Sequence, residues 1–221
     1  MGRDISFVTP SGSVGGWRAD PVEAPRGALV VVQEIFGVNA HMRSVVDRYA
    51  AEGYVALAPA FFDPIERGVE LGYGQDNVAR GRELVDALGL DGAIGIVGAA
   101  AKLLQAEGLK VGVVGFCWGG SVALLANTRL GLPAASYYGA RNVQFLDEPL
   151  RAPMQFHFGE RDGSIPAEAV AAHRDKLPGA EVHAYPAGHA FNRDVDPKAY
   201  DAASARLAHA RTMELFGRAL G

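Results

Sequence analysis

The chain has 221 residues, 49% of them hydrophobic and 21% charged, with a formal net charge of −4. That length suits one well-cored domain, and no linker divides it, so we expect a single domain over residues 1–221. The acidic balance argues against nucleic acid or an anionic membrane as partner.

A single cysteine, Cys117, excludes an intrachain disulfide and fits a reducing, cytoplasmic setting. Residues 1–6 lack the apolar core of a secretory signal, although they match the short M-G-x-x-x-S pattern of N-myristoylation. The longest apolar runs are strand-length and broken by glycine, so no transmembrane helix is expected.

Strand and helix signals alternate, which predicts an α/β fold with a largely parallel sheet. Ile5–Val8 and Gly16–Ala19 read as an edge hairpin. Ala28–Val32 is a nearly continuous β-branched run, as in a strand buried on both faces. Asn39 is placed to cap a helix through Ala51, ended by Gly53. Tyr54–Ala58 is the next strand, and residues 61–75 read as a loop. Helices follow over Asp76–Leu88 and Asp91–Ala106, split by Gly89. A strand at Lys110–Gly115 leads into a helix over Cys117–Ala126. Strands are predicted at Ala134–Tyr138, Met154–Phe158 and Glu181–Tyr185, and helices at Pro166–Lys176 and Pro197–Ala219.

Cys117 sits in Val111-Gly-Val-Val-Gly-Phe-Cys-Trp-Gly-Gly120, an apolar strand running into G-x-C-x-G. In the G-x-S-x-G form of this pattern a nucleophile stands on a tight strand-to-helix turn. Here the nucleophile would be a thiol. The matching order along the chain is nucleophile, acid, histidine, with the last two just past late strands. Asp162 follows the Met154–Phe158 strand and is the candidate acid, with Glu160 its neighbouring competitor. His189 follows Glu181–Tyr185 and is the candidate base. Taken singly, each is more ordinarily a turn or loop residue; three in the right order, each past the right strand, point to a triad.

In that chemistry His189 takes the thiol proton, and the helix N-terminus behind Cys117 favours the thiolate. The thiolate makes a thioester with an acyl carbonyl, and His189 then activates water to cleave it. The oxyanion hole should use the backbone N–H of Trp118 and of Ile35, the latter in the loop after Ala28–Val32. The route needs no metal or organic cofactor, and one cysteine with scattered histidines does not give zinc spacing.

Four stretches resemble the dienelactone hydrolase family: Gln33-Glu-Ile-Phe-Gly-Val-Asn39, Gly115-Phe-Cys-Trp-Gly-Gly120, Gly159-Glu-Arg-Asp162 and Ala187-Gly-His-Ala-Phe191. The resemblance runs over nearly the whole chain and implies a single-domain α/β-hydrolase fold. It also implies that Glu34 lies beside the nucleophile and keeps the thiol protonated at rest; the alternative is that Glu34 pairs with an arginine to hold its loop. It implies a substrate carboxylate clamp at Arg193, four residues after His189, with a second arginine from the helix after the long loop. Arg80 is the preferred candidate there and Arg82 its neighbour. Phe36, Trp118, Tyr137 and Phe191 are candidates to line the pocket or simply to fill the core.

The expected substrate is a small ester or enol-lactone carrying a carboxylate, of the type that converts dienelactone to maleylacetate in aromatic degradation. An enol-lactone suits a thiolate because its leaving group is a stabilised enolate. The rival expectations are a broader carboxylesterase or thioesterase, and a non-catalytic binding member of the fold. The protein is expected to be a monomer or weak homodimer.

Overall fold

The computed structural model describes residues 2–221, so Met1, which opens the myristoylation pattern, lies outside the described residues. The chain forms two compact units, one reaching to Val113 and including Leu220, the other Val114–Ala219 with Gly221.

In the first unit, β1 (Arg3–Thr9) and β2 (Gly12–Ala19) form an antiparallel hairpin. β2 then pairs antiparallel with β4 (Val55–Pro59), and β3 (Ala28–Val32) pairs parallel with β4, giving the order β1-β2-β4-β3. Every residue of β3 and β4 is buried, which explains why these segments do not alternate polar with apolar.

Helix α1 (Ala40–Ala51) starts where the sequence predicts: the Asn39 side chain accepts from Met42 N–H at 3.2 Å. The same side chain donates to the Leu71 carbonyl at 3.0 Å. Asn39 thereby ties the helix start to the irregular segment spanning residues 61–74. Gly37 bridges to Glu70 at φ 79, and a Cβ there would stand 1.9 Å from the Val69 carbonyl oxygen, so this approach requires glycine.

The two helices predicted on either side of Gly89 are joined as α2 (Gln75–Ala106), with Gly89 itself non-helical at φ 67, ψ 166. By length and composition α2 could cross a membrane. Its break at Gly89 and its buried Leu84, Val85, Ile96, Val97 and Leu104 fit a helix packed within a folded protein.

β5 (Val111–Phe116) leads into the second unit, which holds α3 (Trp118–Leu130), β6 (Ala134–Tyr137), β7 (Met154–Gly159), α4 (Ala167–Lys176), β8 (Glu181–Tyr185) and α5 (Ala202–Leu220). The strand order here is β5-β6-β7-β8, with β6, β7 and β8 parallel. Residues 118–128 of α3 are all buried, so the helix is enclosed on every side over that stretch. It continues past the predicted end at Ala126 and stops at Gly131, which is left-handed at φ 70.

The last helix starts at Ala202, five residues after the predicted Pro197. Residues 197–200 instead fold back on the Asp196 carbonyl, which accepts from Ala199 and Tyr200, and Asp201 caps α5 by accepting from Ser204 N–H at 2.9 Å. A short 3-10 turn at Asn142–Phe145 has no counterpart in the sequence prediction.

Asn39→Ala removes both the cap of α1 and the tether to residue 71. It should lower unfolding stability by about 1–2 kcal/mol, read as a lower urea midpoint. An unchanged midpoint would show that the cap contributes nothing.

Candidate active site

All six residues of β5 are buried, and the chain then turns sharply at Cys117, with φ 55 and ψ −117. A non-glycine residue in this region carries backbone strain of about 1–3 kcal/mol. Two features hold it there. A Cβ on Gly115 would lie 1.8 Å from the Gly119 carbonyl oxygen, so only glycine lets the helix start this close to the strand. The Cys117 N–H also donates to the Tyr137 carbonyl at the end of β6, at 3.0 Å. The thiol stands partly exposed at the bend.

Cys117, His189 and Asp162 meet within the second unit. His189 Nε2 lies 3.2 Å from Cys117 Sγ, and His189 Nδ1 lies 2.7 Å from Asp162 Oδ2. The Asp162 side chain is fully buried, and its other oxygen accepts from Ser164 N–H at 2.8 Å. The competitor Glu160 is exposed.

Burial is the largest single influence on His189 and disfavours the imidazolium. The hydrogen bonds and charges of Asp162 and Cys117 together outweigh it, and the pKa rises from 6.5 to about 10. The arrangement therefore favours the charged imidazolium of His189, held between Asp162 and Cys117.

Among the described residues, the non-glycines with positive φ are Cys117, Tyr138 and Ala190. All three belong to this cluster. Ala190 follows His189, and the Tyr138 ring lies 5.0 Å from the His189 ring and 5.3 Å from Phe191. Tyr138 was not among the residues singled out from the sequence, although it stands at a strand end, the same signal that marked Asp162 and His189.

The other candidates take these places. Trp118 opens α3, so its backbone N–H stands in the first turn, where helical N–H groups have no partner within the helix. Phe191 is fully buried among Tyr137, Tyr138 and Tyr185. The buried ring of Tyr137 packs on Phe116 and His157, with its hydroxyl 2.7 Å from Thr212 Oγ1. Arg193 is mostly buried and pairs with Asp196 at 3.3 Å.

Glu34, Ile35, Phe36 and Arg80 belong to the first unit. Glu34 is buried, and Phe36 packs edge-on against Tyr73 at 4.8 Å. A Cβ on Gly81 would lie 2.2 Å from the Ile35 carbonyl oxygen, so α2 presses directly on that turn. Arg80 is exposed and pairs with Glu66 and Glu83; Arg82 is exposed as well.

Beside His189, an open cleft of about 440 Å³ is lined by Arg161, Gly188 and His189 together with Asp196, Lys198 and Tyr200. It leaves the imidazole within reach of solvent. Among the described residues, no group of three or more His, Cys, Asp or Glu side chains is arranged to hold a metal ion.

The dienelactone hydrolase family model matches residues 14–220. The chain belongs to the dienelactone hydrolase family. It is 32% identical over 212 residues to the carboxymethylenebutenolidase of Pseudomonas putida, covering 90% of this chain and 89% of that protein. It is also 32% identical over 224 residues to a Synechocystis sp. protein provisionally named carboxymethylenebutenolidase, covering 92% and 91%. A crystal structure from Klebsiella pneumoniae subsp. pneumoniae MGH 78578, provisionally named a dienelactone hydrolase, superposes with a TM-score of 0.83 at 28% identity over 99% of both chains. The protein thus has the α/β-hydrolase fold and is a hydrolase of esters or lactones.

The His189 ring should titrate near pH 10, followed by the nitrogen chemical shifts of its imidazole. Because the folded value lies above the ordinary 6.5, the stability it contributes is fully present below about pH 6.5 and is lost as pH rises through about 10. Asp162→Asn should move the titration down towards the ordinary value. A wild-type midpoint near 6.5 would contradict the charge-paired arrangement.

Proposed function

We propose that this protein hydrolyses a small carboxylate-bearing enol-lactone or ester through Cys117, His189 and Asp162. The observation that carries the reading is the unbroken hydrogen-bonded line from Cys117 Sγ through His189 to Asp162, beginning at a strained strand-to-helix bend. The names of the carboxymethylenebutenolidase relatives support the lactone substrate.

The steps follow from these groups. The Cys117 thiolate adds to the acyl carbon, and the carbonyl π electrons move onto oxygen, where the N–H groups of Trp118 and Ile35 stabilise them. The intermediate collapses to a thioester and expels the enolate, which needs little help from an acid. The proton on His189 goes to the leaving group or to solvent. Neutral His189 then takes a proton from water, hydroxide adds to the thioester, and Cys117 leaves as thiolate. A lactone gives one ring-opened product with a new carboxylate.

Glu34 is the residue that keeps the thiol protonated before substrate arrives. Arg193 supplies a guanidinium fork for the substrate carboxylate, with Arg80 as its candidate partner. Phe36, Tyr137 and Phe191 line the apolar part of the pocket. Residues 1–221 act as a single catalytic domain, working in the cytoplasm as a monomer or weak homodimer on a product of aromatic degradation.

The second reading, a broader carboxylesterase, is favoured by Arg80, whose guanidinium is already engaged by Glu66 and Glu83.

Asp162→Asn should fold and lose activity by about 10⁴-fold, since the imidazole loses the group that orients and charges it. Cys117→Ser should fold and turn over slowly, because a hydroxyl ionises far less readily than a thiol. Full activity in either variant removes the triad reading. On a panel of matched esters, Arg193→Ala should abolish any preference for a carboxylate near the scissile bond; an unchanged preference assigns the clamp elsewhere.

A further inference from the structure

We infer that His157 is a positioning residue for hydrolysis. It is the centre of a buried hydrogen-bond chain that locks β6, β7, β8 and α5 in the register holding Cys117 and His189, and only its neutral imidazole closes that chain. The inference rests on the reading that Cys117 and His189 perform the reaction.

His157 lies within β7 and is fully buried. Its Nδ1 is 2.8 Å from the Tyr185 hydroxyl on β8, and its Nε2 is 3.1 Å from Thr212 Oγ1 on α5. Arg211 donates to the Tyr185 hydroxyl at 3.1 Å, and Thr212 Oγ1 lies 2.7 Å from the Tyr137 hydroxyl on β6.

The direction of the bonds from Arg211 to His157 and on to Thr212 follows by elimination. Arg211 can only donate, so the Tyr185 oxygen accepts from it. The Tyr185 proton then has a single acceptor among the described residues, His157 Nδ1. His157 therefore carries its proton on Nε2 and donates to Thr212, whose oxygen also shares a hydrogen bond with the Tyr137 hydroxyl. The chain runs Arg211 to Tyr185 to His157 to Thr212, and Tyr137 joins it at Thr212.

This chain lies one residue from the active groups. The His157 carbonyl accepts from Tyr138 N–H at 2.8 Å, and Tyr138 is the left-handed residue whose ring faces His189. The Tyr137 carbonyl accepts the Cys117 N–H. Side chain and backbone of His157 thus both bear on the strand end that holds the bend.

Adding a proton would undo the arrangement. With both nitrogens protonated, Tyr185 would receive two donors and its own proton would have no acceptor. The surroundings oppose that proton too. His183 on β8 stacks on His157 with ring centroids 5.6 Å apart, and Arg211 stands over the Tyr185 ring at 5.5 Å. From β6 only the uncharged Tyr137 ring faces it, and the carboxylate of Glu181 on β8 is directed at His183, at 3.5 Å. Burial, followed by His183 and Arg211, holds His157 well below the ordinary histidine range.

Nitrogen NMR of the intact protein gives the first test. It should show His157 as the Nε2–H tautomer, unchanged from about pH 8 to about pH 5.5. The opposite tautomer, or a titration in that range, overturns the proposal. Tyr185→Phe and Thr212→Val each remove one hydroxyl from the chain. Each should lower kcat about tenfold, the rate equivalent of one ordinary hydrogen bond, with KM within about twofold and with displaced His189 nitrogen signals. His157→Gln, neutral with one donor and one acceptor, should retain more activity than His157→Leu. Lower melting temperatures with unaltered kcat and His189 signals would make the chain merely structural and overturn the proposal. If Cys117→Ala still turns over while the tautomer is as described, the fault lies with the triad reading instead.

Discussion

The Cys117 backbone is held at φ 55, and the rest of the second unit is organised around keeping it there. A residue with a Cβ in that region would relax to an ordinary conformation unless its neighbours forbade it. Gly115 lets α3 begin against the strand, and the Tyr137 carbonyl takes the Cys117 N–H. Relaxing the bend would break that bond and pull the first turn of a fully buried helix out of place. The strain is small beside those losses, so the thiol stays presented at the strand end. Tyr138, just past the end of β6, and Ala190, in the loop after β8, are left-handed as well.

Presentation alone does not make a nucleophile. In the proposed chemistry the His189 imidazole must be charged when the thiol is ionised, although it is only half-exposed to water. Burial by itself would neutralise it. Asp162, fully buried at 2.7 Å, and Cys117, at 3.2 Å, reverse the outcome. The second oxygen of the buried Asp162 is satisfied by the Ser164 N–H, so neither carboxyl oxygen is left without a partner.

Much of this was legible in the chain. Ala28–Val32 and Glu181–Tyr185 begin and end where predicted, the first because a buried β-branched run flanked by turn residues leaves little choice. Asn39 and Gly89 likewise marked a cap and a break that the backbone contains. The three candidate triad residues could be singled out because order and strand-end position are one-dimensional properties. The start of α5 is later than predicted because Pro197 resembles a helix opening, whereas the turn on the Asp196 carbonyl, the Asp201 cap and the long-range bond from Asp201 N–H to the Phe191 carbonyl decide the matter. Tyr138 and His157 were passed over for a related reason. A tyrosine or histidine in an apolar strand reads as core, and only the positions of Tyr185 and Thr212, far along the chain, give His157 its partners.

The two histidines show how the same side chain is given opposite states within one unit. His157 is fully buried and His189 half-buried, and burial pushes both towards neutrality. His189 faces a carboxylate and a thiol, so a proton on it is matched by negative charge. His157 faces two hydroxyls, with a guanidinium and a second imidazole close by, so a proton on it would be matched by nothing. A neutral imidazole with one donor and one acceptor can pass a hydrogen-bond direction across a sheet, while a charged one can hold a thiolate. Strand β8 separates these tasks: Tyr185, its last residue, keeps one imidazole neutral, and the loop that follows carries the other to Cys117.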